Sequence, residues 1–382
     1  MQGNIMKILH CADLHLDSPF RSGSAEKSEV RRRELRGTFS SLILYIKTEG
    51  IKLALLAGDL FDSSFVTKET AAFVIKELAS APECRFVIAP GNHDPYTSDS
   101  IYAGVTFPDN VFLFRDTALN KFSFPELRVD VYGYAFTAST LDFCPFAGRI
   151  PENSEKINLL CAHGDVGAPL SPYCPISEKD IAEAGFDYCA FGHVHNTEGL
   201  KKAGNTYYAY SGCLEGRDFG ETGHKGALVI DITKERGLAS LKATPIRFSG
   251  RRYEWHELDL SGVADESEVR NRIKALLAEK ALGADTLLRI TLCGSISPHL
   301  RLDLEALTAL FAEGLFYLEL QDHTLPLFDT KTLENDLTVR GAFFAAMRPL
   351  LENGTPEERA EAARALRVGF AALAGEDFTE IG

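Results

Sequence analysis

Five apolar runs, residues 6–12, 51–57, 85–90, 157–162 and 186–191, have the length and content of short buried strands. Each one stops on side chains that bind metals or move protons. The first ends in Asp13-Leu14-His15, the second in Gly58-Asp59 and the third in Gly91-Asn92-His93-Asp94. The fourth ends in His163-Gly164-Asp165 and the fifth in Gly192-His193-Val194-His195. Apart from glycine, none of these groups is needed to close a turn. Five of the chain's ten histidines sit in these clusters. Polar residues scattered at random would have to choose the same end of five separate strands, so the pattern points to one shared site.

The segments between the runs set the fold class. Leu35, Phe39, Leu42, Ile43 and Ile46 fall on one face of a helix over 29–48, and Gly50 stops it. A second helix is expected over about 67–78. Strand, helix, strand, helix, strand over the first 95 residues predicts a parallel α/β sheet with its site at the carboxyl ends of the strands. Period two along the first strand places Asp13 and His15 toward one point. Further strands are expected at 111–114 and 127–135, and a short helix at 177–184 capped by Ser177 with Asp180 at its third position. Residues 206–210, 226–232 and 238–248 read as antiparallel strands, so a second sheet packs on the first. Beyond 248 comes a β-α-β-α-β unit (253–260, 266–280, 287–293, 304–313, 315–320) with no polar cluster at its strand ends. A polar connector over 322–336 leads to helices at 338–351 and from Pro356, the latter opened by Thr355 and Glu358.

Composition narrows the classes. The chain is 45% hydrophobic and 25% charged, as an ordinary globular protein is. A net charge of −14 works against non-specific nucleic-acid binding, which needs Lys and Arg on phosphates. Residues 251–382 hold 14 Lys and Arg against 23 Asp and Glu. Any DNA-contacting face must therefore be local: Arg247, Arg251 and Arg252, or Arg31, Arg32, Arg33 and Arg36. The eight cysteines lack a Cys-x-x-Cys pair and several lie in apolar runs, which suits buried thiols in a reducing compartment. The start is too short and polar for a signal peptide and no apolar run approaches ~18 residues. The expectation is a cytoplasmic protein with no membrane partner.

Imidazole, carboxylate and amide oxygen without thiolate suit Mn2+, Fe2+, Zn2+ or Co2+. Asp13, His15, Asp59, Asn92, His163, His193 and His195 are too many donors for one ion. Two ions need a bridge, which a carboxylate can form and an imidazole cannot; Asp59, central in order, is the natural one. Such a pair can hold a hydroxide and clamp a phosphoryl oxygen, which predicts hydrolysis of a phosphoester.

The ordered set Asp13-x-His15, Gly58-Asp59, Gly91-Asn92-His93-Asp94, His163 and Gly192-His193-x-His195 resembles the calcineurin-like metallophosphoesterase superfamily over residues 13–195. Likeness in strand order extends to about 248. Within it, Gly58-Asp59-Leu60-Phe61-Asp62 and the appended unit resemble the SbcD-type DNA repair nucleases, and residues 13–20 resemble their YhaO-like branch. The resemblance implies an α/β fold: a four-layer α-β-β-α sandwich over 1–250, then a smaller α+β capping domain over 251–325 that contacts DNA. Residues 326–382 would form a C-terminal helical segment that binds an SbcC-like coiled-coil ATPase. One metal would be held by Asp13, His15, Asp59 and His195, the other by Asp59, Asn92, His163 and His193, with Mn2+ the first choice. His93 would act as general acid or stabilise the phosphorane charge, and Asp94 would fix its orientation. Asp62 stands where some members carry a histidine that tunes exonuclease activity. Asp17 and Asp165 are expected to support neighbouring ligands or belong to loops. His10, His224, His256, His299 and His323 match no motif and read as structural or surface residues.

The expected function is thus a metal-dependent phosphodiesterase or exonuclease acting in DNA double-strand-break repair with an SbcC-like ATPase, and a homodimer is compatible with it. The alternative is hydrolysis of a small phosphodiester or phosphomonoester without DNA. A non-hydrolytic scaffold is a third reading, and the intact His93 argues against it.

Overall fold

The computed structural model describes residues 5–20, 23–297, 300–327, 330–373 and 375. The chain divides into two compact units, residues 1–252 and 253–382. His299 lies outside the described residues.

In chain order the first unit contains β1 (Met6–Cys11), α1 (Ala25–Glu49), β2 (Leu53–Leu56), α2 (Lys68–Ala79), β3 (Arg85–Ile88), α3 (Ile101–Gly104), β4 (Val111–Leu113), β5 (Asn120–Phe124) and β6 (Val129–Gly133). It continues with β7 (Ile157–His163), β8 (Asp165–Val166), β9 (Pro175–Ile176), α4 (Glu178–Glu183), β10 (Tyr188–Gly192), β11 (Lys201–Ala203), β12 (Thr206–Tyr210), β13 (Gly226–Glu235) and β14 (Leu238–Arg247). One sheet runs β14-β13-β1-β2-β3-β4 and the other β11-β12-β10-β7-β6-β5. Strands β1 to β4 pair in parallel, as do β6, β7, β10 and β12.

Alternation along each strand makes the layers. Leu9 and Cys11 pack with Leu35, Phe39, Leu42 and Ile43 of α1, while Ile8 packs between the sheets with Leu55, Val87, Val131, Leu159 and Ala190. The outer face of the second sheet is covered by Ile181 and Ala184 with Phe146 and Phe186. The result is a four-layer α-β-β-α sandwich. Phe39 is fully buried, so its truncation to alanine would cost about 3–5 kcal/mol.

Helix α1 begins four residues before the expected 29, because the Ser24 side chain accepts from the Lys27 N–H and caps it. It ends where Gly50 turns left-handed (φ 63) and donates to Ile46 and Lys47 carbonyls. Helix α4 carries the capping box expected from Ser177 and Asp180. One strand is unanticipated and one expectation fails. Strand β5 has too many polar residues to stand out in the sequence. Strand β12 is parallel to β10 and antiparallel only to β11, so its C-terminal end lies at the same sheet edge as the ends of β7 and β10.

The second unit has β15 (Arg252–Asp259), α5 (Glu266–Glu279), β16 (Thr286–Cys293), β17 (Ser295–Ile296), α6 (Leu304–Ala312), β18 (Tyr317–Asp322), β19 (Leu325–Pro326), α7 (Thr330–Glu334), α8 (Val339–Asn353) and α9 (Pro356–Leu373). Its sheet order is β15-β16-β18, and Leu288, Ile290, Leu292 and Leu318 pack on Val269, Ile273, Leu307 and Phe311 of the helices. The expected connector at 322–336 holds β19 and α7, and α7 joins α8 and α9 through Leu333, Phe344 and Leu366. Six cysteines are buried, while Cys144 and Cys293 are half-buried. Among the described residues no helix is long and apolar enough to cross a membrane.

Candidate metal centre

Parallel pairing aligns the carboxyl ends of β1, β2 and β3 in one sheet and of β7 and β10 in the other, the packed sheets bring the two sets together, and the backbone bends sharply there. Asp13 (φ 53), His15 (φ 47), Asp59 (φ 53) and His193 (φ 108) all adopt the left-handed region that favours glycine. Such residues cost about 1–3 kcal/mol each and persist where the surroundings over-determine them. Here backbone bonds hold the turns: Asp13 N–H donates to the Gly58 carbonyl (3.1 Å) and His15 N–H to that of Asp59 (2.9 Å). Strand β1 has already ended at Cys11. Asp13 and His15 therefore meet through paired left-handed turns, and not through strand alternation.

Two groups of donors surround Asp59. On one side His15 Nε2 lies 3.5 Å from Asp59 Oδ2 and 3.3 Å from His195 Nε2, which is 3.8 Å from Asp13 Oδ1. On the other side His163 Nε2 lies 3.4 Å from Asp59 Oδ2 and 2.9 Å from Asn92 Oδ1, which is 3.3 Å from His193 Nδ1. Asp59 Oδ2 is thus nearly equidistant from one imidazole of each group. The His193 N–H donates to both Asp13 oxygens, at 3.0 and 3.2 Å.

The donors fit divalent ions. His163 Nδ1 lies 3.1 Å from the Ala57 carbonyl, which can only accept. Nδ1 therefore carries a proton, and in the neutral ring Nε2 turns a lone pair toward the oxygens of Asn92 and Asp59. Lone pairs converging at this range are satisfied by a cation. Asp13 and Asp59 are each 1% exposed, and their ionic neighbours are histidines. Buried carboxylates of this kind need positive charge.

Burial sets the protonation of the ring nitrogens. It drives His15 well below the usual histidine range, and the positive potential of Arg217, His195, His93 and His163 adds to this. Burial and His163 lower His193 to about 4. Both rings are therefore neutral at pH 7 and can bind metal. Burial also lowers His195, but its hydrogen bond to Glu221 and the charge of Asp13 outweigh this and raise it. Asp13 is raised by burial, against the pull of His195 and His163.

His93 stands exposed at the rim. Its ring meets that of His15 edge-on with centroids 4.8 Å apart, and its backbone N–H donates to Asp59 Oδ1 at 2.9 Å. Ligand atoms of His93, His15 and Asp62 lie within 4.8 Å of one another. Asp94 does not orient the ring as expected. Its Oδ1 accepts from the N–H groups of Gly91 (2.7 Å) and Asp59 (3.2 Å), and its Oδ2 from Phe61 N–H (3.0 Å) and the Tyr102 hydroxyl (2.6 Å). Asp94 therefore staples the loop after β3 to the loop after β2. Neighbours in a tight turn point apart, so adjacency to His93 gave no contact with its ring. Burial and Asp59 push Asp94 up to about 7, against these donors. Gly91 is required beside it, since a Cβ there would sit 2.3 Å from Asp59 Oδ1.

Other residues fall outside the cluster. Asp17 accepts from Arg36 and the Thr67 N–H, fixing the start of α2. Asp165 Oδ2 lies 3.8 Å from His193 Nε2. His10 is buried between the sheets, bonded to the Tyr188 hydroxyl and the Phe191 carbonyl. Three of the four arginines in the run are paired: Arg31 is buried against Glu215 and Glu34, Arg32 pairs with Glu29, and Arg36 with Asp17, while Arg33 is exposed. Arg251 pairs with Glu34. Sequence reasoning missed Arg217 and Glu221, which adjoin His195, and Tyr173, whose ring lies 5.2 Å from that of His193. The available signal was the charged stretch 211–221 after residues 206–210, a sixth strand end once that strand is taken as parallel.

Comparison with known proteins agrees. The family model described as calcineurin-like phosphoesterase matches residues 6–197. The chain is 30% identical over 238 residues to the metallophosphoesterase YhaO of Bacillus subtilis, covering 60% of this chain and 58% of that protein. It is 27% identical over 256 residues to the DNA double-strand break repair protein Mre11 of Saccharolobus solfataricus, covering 62% and 63%. It is 23% identical over 263 residues to the SbcD component of the nuclease SbcCD of Staphylococcus epidermidis, covering 59% and 66%. The chain spans less than two thirds of each relative's length. With half the chain matched and the donors gathered at the same end of the two packed sheets, the protein belongs to the calcineurin-like phosphoesterases, dimetal-dependent hydrolases similar here to the SbcD and YhaO group.

Proposed function

We propose that this protein is a metal-dependent DNA nuclease that hydrolyses phosphodiester bonds in double-strand-break repair. The observation that carries the reading is the place of Asp59 Oδ2, 3.5 Å from His15 and 3.4 Å from His163, between two sets of donors. Asp13, His15, Asp59 and His195 would hold one divalent ion, and Asp59, Asn92, His163 and His193 the other. Two such ions, Mn2+ first among them, would supply an acidified water and the charge that polarises a phosphoryl oxygen. The chain's own groups do the rest. The exposed His93 ring reaches the leaving-group oxygen and gives it a proton, or stabilises the phosphorane charge. The bond from its backbone to Asp59 Oδ1 ties its position to the bridge. Asp62 is the carboxylate near that ring, and Asp94 holds the two loops together.

Similarity to Mre11 and to the SbcD component of the nuclease SbcCD supports DNA as substrate and an SbcC-like ATPase as partner. Exposed Val339, Leu350 and Leu373 on α8 and α9 are where a coiled coil would dock. The second reading, a small phosphodiester or phosphomonoester, is favoured by the net charge of −14 and by the paired arginines. The test is Mn2+-dependent nucleotide release from linear duplex DNA, beside hydrolysis of bis(p-nitrophenyl) phosphate. Hydrolysis of the model diester with neither binding nor shortening of DNA at low salt would reject the nuclease reading.

A further inference from the structure

Glu221 lies in the turn between β12 and β13 and is 6% exposed. Its Oε1 lies 2.5 Å from His195 Nδ1, and its Oε2 accepts from the Arg217 N–H at 2.7 Å. The Arg217 guanidinium lies 3.5 Å from Oε1 and 3.1 Å from the same His195 Nδ1. These contacts compete. Nδ1 can donate to the carboxylate or accept from the guanidinium, and the two choices leave Nε2 in opposite states. In the neutral ring, donation to Glu221 leaves a lone pair on Nε2, the atom 3.3 Å from His15 Nε2 and 3.8 Å from Asp13 Oδ1. Acceptance from Arg217 would put the proton on Nε2 and close that position to a cation. The shorter contact, to an acceptor-only carboxylate, decides for Glu221.

We propose that Glu221 is a positioning residue that fixes His195 in its metal-binding tautomer, with Arg217 balancing the carboxylate's charge. The proposal rests on the two-metal reading of the site and concerns one half of it, the Asp13–His15–Asp59–His195 group. Carboxylates behind metal-bound histidines raise ligand basicity and fix the ring, and their loss weakens metal affinity by about 10–100-fold.

The test is titration of the metal-free full chain with Mn2+ by calorimetry and electron paramagnetic resonance. It compares the parent with Glu221→Ala, Glu221→Gln and, as the reference for a lost ligand, His195→Ala. The parent should bind two Mn2+ and show a spin-coupled pair. Glu221→Ala should weaken one ion by about 10–100-fold, so that a mononuclear signal fills first and the coupled signal returns at higher Mn2+. Glu221→Gln, whose amide oxygen still accepts from Nδ1, should lose less at that same ion. It carries the test alone if the alanine variant fails to fold. Unchanged affinities overturn the proposal. Equal weakening of both ions, with a lowered melting temperature of the metal-free chain, also overturns it by showing general collapse of the loop. A parent that binds no Mn2+ refutes the two-metal reading, and the proposal with it.

Discussion

The two units alternate strands with helices over buried apolar cores, and both place aspartates where strands stop. In the second unit Asp259 and Asp322 do ordinary turn work: each accepts from a backbone N–H two residues on, at 2.8 Å, close to solvent. In the first unit Asp13 and Asp59 are 1% exposed, left-handed, and surrounded by imidazoles. The residue type is the same; burial, backbone strain and neighbours differ. Among the described non-glycine residues with positive φ, Ala281 alone lies in the second unit, whereas Asp13, His15, Asp59 and His193 crowd one sheet edge in the first. A carboxylate at a strand end is thus informative only when the fold buries it beside others.

The sharpest way to break this contrast is Asp59→Ala. If Asp59 bridges, both ions lose occupancy and hydrolysis of a model diester falls by roughly 10³-fold or more, as for a member of a cooperative catalytic set. Metal analysis that finds only one ion lost would reject the bridge. His93→Ala separates chemistry from binding: it should keep both ions and lose roughly 10²-fold in rate. Loss of metal in that variant would make His93 a ligand.

His10 tests burial without metal. Burial lowers it to about 3, so the unfolded chain takes up this proton first as pH falls. Its contribution to stability is complete above pH about 6.5 and is lost as pH drops toward 3, at roughly 1.4 kcal/mol per unit in between. Denaturant unfolding of His10→Gln should show a shallower acid slope than the parent, and parallel slopes would refute this. The smallest effect belongs to the second unit. Asp322→Ala should cost about 1 kcal/mol through its lost turn and Arg367 contacts and leave Mn2+ binding and diester hydrolysis unchanged. A lost ion there would erase the distinction between the two kinds of strand end.

The sequence showed much of this because β1, β2, β3, β7 and β10 are short, apolar and abrupt, so their polar ends stand out. Parallel pairing then gathers those ends at one edge of each sheet, and the packing of the two sheets brings the edges together. What stayed hidden depended on facing directions. Asp94 adjoins His93 in the chain yet turns to Gly91, Asp59, Phe61 and Tyr102. Residues 206–210 looked like one more antiparallel strand, which put Arg217 and Glu221 at the wrong end of the sheet. The arginine run at 31–36 was a candidate for a local DNA-contacting face, while Arg31 is 1% exposed against Glu215.

By itself the sequence determined which donors exist, that they end strands, and that two ions rather than one suit their number. These are local properties of residue type and apolar length. Only the tertiary structure decided which oxygen of Asp59 lies between the two groups and that Glu221 backs His195. Those are relations between side chains up to 180 positions apart, and strand pairing together with the packing of the two sheets sets them.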